Sequence, residues 1–196
     1  MNTLKAEKRS MEIKAKKLRR EGFVTGNVFG REMKEPIPVK ILKGDVEKLL
    51  KTCNKGSQIM LDIEGQLLDV LIKEIDFNPI RGQMDEIDFQ ALVSGEKVHS
   101  VAEIILLNHD KVLGGLVQQK LHEISYKALP SALVDKIEIN VENMKTGDLI
   151  FVKDLEIASN KEIHLMTDPE AVVVTVTEIH NKAAAAADTA AEEETK

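Results

Sequence analysis

The stretch from Gln58 to Ile75 constrains this chain most. Two runs rich in Ile, Leu and Val, Gln58 to Ile63 and Leu67 to Ile75, flank Glu64-Gly65-Gln66. Short apolar runs on either side of so tight a turn read as a β-hairpin. The same reading extends outward. Asn2 to Glu7, Phe23 to Gly30, Pro36 to Leu42 and Met84 to Leu92 are further strands, the last alternating Ile87 and Phe89 with Asp88 and Gln90. Two helices interrupt them. Ser10 to Glu21 places Met11, Ala15 and Leu18 at near-helical spacing and stops at Gly22. Val46 to Cys53 starts from Asp45 as N-cap and stops at Asn54-Lys55-Gly56. Strands outnumber helices and the turns are short, so residues 1–92 fit a small β-barrel.

Ser94-Gly95-Glu96 reads as a boundary. Beyond it Val101 to Leu107, Leu121 to Leu129, Lys136 to Val141, Leu149 to Val152 and Ala171 to Ile179 read as strands of a second β domain, residues 93–182. The fold class is thus mainly β with short helices (α+β). Residues 183–196 are Ala runs followed by Glu192-Glu193-Glu194, a composition expected to stay disordered. No apolar run reaches the ~18 residues a bilayer span needs. The charged N-terminus is no signal peptide, and the single Cys53 reads as a small buried apolar residue. A cytoplasmic protein is expected.

Charge divides the chain. The net charge of −6 hides 10 basic against 4 acidic residues in positions 1–34, while residues 93–196 carry 10 against 18. A basic head on an acidic body suggests a surface for a polyanion. Enzyme constellations are missing from the pattern. His99, His109, His122, His164 and His180 stand singly, with no metal-ligand spacing to one another or to Cys53. Gly114-Gly115 lacks the ending of a phosphate loop and reads as a tight turn. No catalytic residue, cofactor, metal, membrane or small-molecule substrate is expected.

Three ordered blocks carry a resemblance. Ala6-Glu7-Lys8-Arg9, then Lys16-Lys17-Leu18-Arg19-Arg20-Glu21-Gly22 and Val28-Phe29-Gly30, form the first. Asp76-Phe77-Asn78-Pro79-Ile80-Arg81-Gly82 with Ile87-Asp88-Phe89-Gln90 is the second. Leu113-Gly114-Gly115-Leu116-Val117-Gln118-Gln119, followed by Ala128-Leu129-Pro130, is the third. Together they resemble the large-subunit ribosomal protein twenty-five family, in its longer Ctc (general stress protein) type. The resemblance implies an N-terminal barrel that binds 5S ribosomal RNA, a C-terminal β domain, and a structural role in the large ribosomal subunit beside neighbouring RNA and proteins. A second reading is a stress-related, ribosome-associated interaction module with weakened direct RNA binding.

The residues that would touch RNA follow. Arg9, Lys16, Lys17, Arg19 and Arg20 can neutralise phosphates, and Arg can also fork onto a guanine edge. Taken alone, such a run also fits a solvated helix face, with Glu7, Glu12 and Glu21 compensating. Asp88 matches the family's RNA-contacting Asp, and a carboxylate earns a place beside RNA by accepting from base amino groups. On an alternating strand it is otherwise an outward polar residue. Arg81 would approach a phosphate from its loop. Phe29 would stack or pack, with core packing favoured. Members of the family it resembles usually have Tyr where Phe29 stands, many have His where Glu86 stands, and the basic segment is shorter here.

Overall fold

The computed structural model describes residues 2–112 and 115–178. The expected tail at 183–196, the end of the last strand at Ile179, Gly114 and His180 fall outside the described residues. The chain is mainly β: a closed six-stranded barrel is followed by a half-barrel of two small sheets, with a few short helices.

The barrel is built from β1 (Thr3–Lys8), β2 (Phe23–Phe29), β3 (Ile37–Leu42), β4 (Gln58–Ile63), β5 (Gln66–Asn78) and β6 (Gln83–Ala91), joined around the wall in the order β1-β3-β2-β6-β5-β4. The expected hairpin is β4–β5, with Ile63 facing Gln66. Its turn is Glu64-Gly65, both at positive φ (53° and 91°), the backbone that matches the twist of two paired strands. β1 closes the cylinder by running parallel to β4, Thr3 to Ala6 against Met60 to Ile63. Val24, Val28, Val39, Ile59, Val70, Ile72, Ile87 and Phe89 have no exposed surface and fill the interior. With so few aromatic residues, β-branched side chains supply most of that volume.

Both barrel helices are shorter than or displaced from the expectation. The first, α1, spans Ala15–Arg20. Ser10 to Lys14 is a turn instead, held by the Ile13 N–H on the Ser10 carbonyl at 3.3 Å. Of the three residues taken as a helical face, Met11 is 74% exposed and only Leu18 is buried. The second, α2, is Lys43–Leu49, and Leu42 rather than Asp45 occupies the cap position. The chain passes straight from β3 into the helix, so Asp45 lies in the first turn, where its negative charge suits the positive end of the helix dipole and Lys48 pairs with it at 3.2 Å. Val46 and Leu49 join the barrel core, as does Cys53.

The second domain opens with β7 (Val98–Leu107), which pairs with β9 (Glu123–Ala128) on one side and β10 (Lys136–Asn140) on the other. A two-residue strand, β12 (His164–Leu165), finishes that sheet beyond β9. A three-stranded sheet combines β11 (Leu149–Phe151), β13 (Val172–Thr177) and β8 (Leu116–Gln119) in that order. Neither β8 nor β12 was expected from the sequence: one is short and half-polar, the other two residues long, and only tertiary pairing makes them strands. A third helix, α3 (Glu156–Ser159), packs Ile157 into the core. Tyr126 sits in the middle of this core, and its hydroxyl both donates to the Val134 carbonyl (2.9 Å) and accepts from the Val134 N–H (2.8 Å).

The two units meet at Gly56, whose φ of +91° suits glycine and whose absent side chain makes room for the Val101 carbonyl. A Cβ there would stand 1.9 Å from that oxygen. Around it, Ser100 Oγ donates to the Gly56 carbonyl (3.2 Å), Lys73 Nζ to the His99 carbonyl (2.8 Å) and Asn54 Nδ2 to the Glu103 carboxylate. Gly56→Ala combines left-handed strain with a backbone collision, so it should cost about 1–3 kcal/mol. Equilibrium urea unfolding reads this directly, and a loss within experimental error would show that the junction yields.

Candidate nucleic-acid interface

The sequence Ala15-Lys16-Lys17-Leu18-Arg19-Arg20 consists of strong helix formers, and its cations crowd the last turn where the helix dipole favours them. Leu18, 3% exposed, anchors α1 to the barrel, and α1 packs on β2. That fixes the direction of the remaining side chains. Lys16, Lys17 and Arg20 point to solvent; Lys17 is 3.9 Å from Glu21 in an exposed pair worth little.

Arg19 turns the other way. Its Nε donates to the Asp85 carbonyl at 2.9 Å, and its terminal nitrogens lie 3.9 Å from the Asp85 carboxylate and 3.6 Å from that of Glu86. A longer bond reaches Thr25 Oγ1, which is itself buried. Arg19 therefore latches α1 to β6. Asp85 is held in turn by Asn78 Nδ2 (3.3 Å) and Gln83 Nε2 (3.4 Å), the two ends of the β5–β6 connection. In that connection the Arg81 N–H donates to Asn78 Oδ1 (3.2 Å), which sets the turn and leaves the Arg81 side chain exposed.

The outcome is a concavity of about 550 Å³ lined by Lys16, Arg19, Arg20, Asn78, Arg81, Gln83 and Asp85. Lys16 and Arg20 come from α1 and Arg81 from a segment more than 60 residues further on, and none has an ion-pair partner among the described residues. Arg9 stands nearby. One of its terminal nitrogens donates to the Ile13 carbonyl (3.1 Å), and its buried Nε has no hydrogen-bond partner.

A second patch adjoins this one on the outer face of the wall. Register places Asp88 opposite Glu74, and Glu86 opposite Asp76 and beside Thr25. Asp88 Oδ1 accepts from the Asn27 backbone N–H (2.9 Å) and from Asn27 Nδ2 (3.2 Å), leaving the second oxygen of the carboxylate for another donor. Gly26 permits this geometry: the Ile87 carbonyl lies 1.9 Å from where its Cβ would be. Burial pushes the Glu86 carboxyl above the ordinary carboxylate range, Asp88 and Asp76 push the same way, and Arg19 and Arg9 oppose them. Phe29, expected to favour the core, is 37% exposed at the end of β2; strand alternation aims it outward while Val28 takes the inner position.

Of the expected residues, the structure gathers Lys16, Arg19, Arg20 and Arg81 around one concavity and sets Asp88 on the adjoining strand face. Lys17 stays on the solvent side of α1 and does not line it. Asn27, Asn78, Gln83 and Asp85 are not among the site residues expected from the sequence. Asn78 alone had a local signal, as the turn residue before Pro79; the others depend on strand pairing. No group of three or more metal-ligating side chains occurs among the described residues.

A two-domain β protein with a cationic hollow on its barrel is the class this geometry defines. The model of the Ribosomal L25p family matches residues 4–89, and that of the Ribosomal protein TL5, C-terminal domain, matches residues 86–180. Proteins named large ribosomal subunit protein bL25 are similar throughout. That of Thermosipho africanus is 30% identical over 186 residues, covering 89% of this chain and 84% of the relative. That of Caldanaerobacter subterraneus subsp. tengcongensis is 28% identical, with 89% and 88% covered. The chain belongs to the bL25 family, in its two-domain Ctc-type form, a family of structural proteins rather than enzymes.

Two outcomes test the patch. Asp88→Ala strips the Asn27 N–H of its acceptor and should cost about 1.5–3 kcal/mol, the usual worth of a bond to a charged group, whereas Asp88→Asn keeps an acceptor and should cost less. Equal losses in denaturant titrations would mean that an amide oxygen does not stand in for the carboxylate opposite Asn27. Glu86 binds its proton more tightly folded than unfolded, so its contribution is present below its unfolded pKa and is lost as pH rises through the elevated folded one. Glu86→Gln should remove that decline from stability measured across the acidic range; an unaltered profile would place the titration elsewhere.

Proposed function

We propose that this protein is a structural component of the large ribosomal subunit and binds 5S ribosomal RNA through the concavity between α1 and the β5–β6 connection. One observation carries the reading: in a chain of net charge −6, Lys16, Arg20 and Arg81 converge, unpaired among the described residues, on one hollow. Phosphates displacing counterions there would supply affinity that falls with salt. Arg19 is already held by Asp85 and Glu86, so its role is to fix α1 as well as to offer a hydrogen-bonding edge. Asp88 keeps one oxygen clear of Asn27 for a base amino group, which is sequence readout rather than charge attraction. Arg9 and the exposed Phe29 would extend the contact, Phe29 by stacking.

The reading as an interaction module with weakened RNA binding has its own support. Glu74, Asp76, Glu86 and Asp88 put four carboxylates on neighbouring positions of the outer wall, and phosphates avoid such a strip. Titration of the full chain against 5S ribosomal RNA, with transfer RNA as competitor and at several salt concentrations, separates the two. Competitor-resistant binding is expected, with Lys16→Ala and Arg20→Ala each lowering the salt slope by about 1. Binding no tighter than to transfer RNA would favour the module.

A further inference from the structure

β10 is the last strand of its sheet, and among the described residues only its β7 side is paired. The pairing is parallel and unbroken from Lys136 against Glu103 to Asn140 against Leu107. Its phase is set by two bonds: the Glu103 N–H donates to the Asp135 carbonyl (3.2 Å), and the Val141 N–H to the Leu107 carbonyl (3.1 Å). Backbone groups alternate sides along a strand, so those of Ile137 and Ile139 also face β7. The N–H and C=O groups of Lys136, Glu138 and Asn140 therefore face away from the sheet. That is a row of three donors and three acceptors which no strand among the described residues meets.

The row opens into a groove. A hollow of about 890 Å³ is lined by all five residues of β10 and, on the opposite wall, by Ile150, by residues 154–157, by Asn160 and by Ile163. Ile137, Ile139, Ile157 and Ile163 are each less than a tenth exposed and give it an apolar floor.

Natural sheets usually blunt such an edge by shortening it, bulging it, placing proline in it or charging it, and of these β10 has only the charges of Lys136 and Glu138. The other edge of this sheet follows that rule: β12 has two residues. β10 has five, no bulge and no proline. Charge identifies what suits it. Lys136 is outnumbered on the groove walls by Glu138, Asp154 and Glu156, and neither Glu138 nor Glu156 has an ion-pair partner among the described residues. Residues 93–178 as a whole carry 8 basic and 14 acidic side chains. An RNA backbone is repelled by such a surface, whereas an extended cationic peptide is attracted and finds partners for its own backbone.

We propose that the open edge of β10 takes up an extended, Lys- and Arg-rich segment of a neighbouring protein as an added strand. The proposal rests on the reading that the chain is built into the large ribosomal subunit, and it is independent of whether the barrel binds 5S RNA. Glu138 and Glu156 select the cationic side chains, and the outward groups of residues 136, 138 and 140 hold the backbone.

The test places photoreactive p-benzoylphenylalanine at Lys136 of the full chain, assembles it into subunits in cells, and irradiates the purified subunits. A cross-link to another protein is expected, on a segment with basic residues at alternate positions. Glu138→Pro removes only an N–H that faces the groove, so the ladder to β7 survives. It should lower the cross-link yield about tenfold, roughly the loss of one hydrogen bond and its register. Glu138→Lys with Glu156→Lys leaves the backbone edge intact and should lower the yield likewise. Adducts to RNA, adducts to a second copy, no adduct, or a yield indifferent to both variants would each overturn the proposal. The amount of the protein in the purified subunits is measured alongside. Its absence would sink the ribosomal reading itself, whereas its presence without a protein adduct would sink only the strand addition.

Discussion

Closure of the barrel by its first strand governs everything built on it. β1 is gripped from both sides, by β4 through Thr3 to Ala6 and by β3 through Glu7 and Lys8, so the wall has no free edge. The chain then leaves at Lys8 and must rejoin as β2, with β3 lying between the two in the wall. The linking segment has to travel over the outside of the cylinder. It is also the most basic stretch of the sequence, so a topological requirement carries the cations to β2 and the neighbouring β6. The burial of Leu18 stops them there.

The site that results balances attraction and restraint. A cluster containing Arg9, Lys16, Arg19, Arg20 and Arg81 would repel itself if left bare. Asp85 and Glu86 relieve part of that by holding Arg19, and Glu86 is itself partly desolvated among other carboxylates. Cations that are preorganised but only partly neutralised keep their capacity for an external anion. The adjoining Asp88, tied to Asn27 through one oxygen, has its orientation set before any ligand arrives, which reduces the entropy lost on binding.

Local features of the fold could be read from the sequence, and long-range ones could not. The β4–β5 hairpin was legible because Glu64-Gly65 carries its own turn chemistry. The alternation of Ile87 and Phe89 likewise announced β6. The parallel pairing of β2 with β6 joins residues about 60 positions apart, and no periodicity encodes it. The partners of Arg19 and Asp88 were hidden for that reason, although both residues were recognisable in themselves. Helix starts went wrong where tertiary contact overrode spacing. Met11 and Ala15 share a helical period with Leu18, but the chain at Ser10 is already committed to leaving β1. Phe29 was misjudged by residue type: its strand parity, fixed by Val28 inside the barrel, sends it outward.

The buried phenol of Tyr126 has a practical consequence. It is the single Tyr of a chain without Trp, and it lies wholly within the second domain's core, bonded at both its donor and acceptor sites. The near-ultraviolet spectrum of this protein is in effect a spectrum of one half of it. A melt followed by the tyrosine signal will report loosening around Val134 and pass over an unfolded barrel almost in silence, so the two halves must be watched by different light.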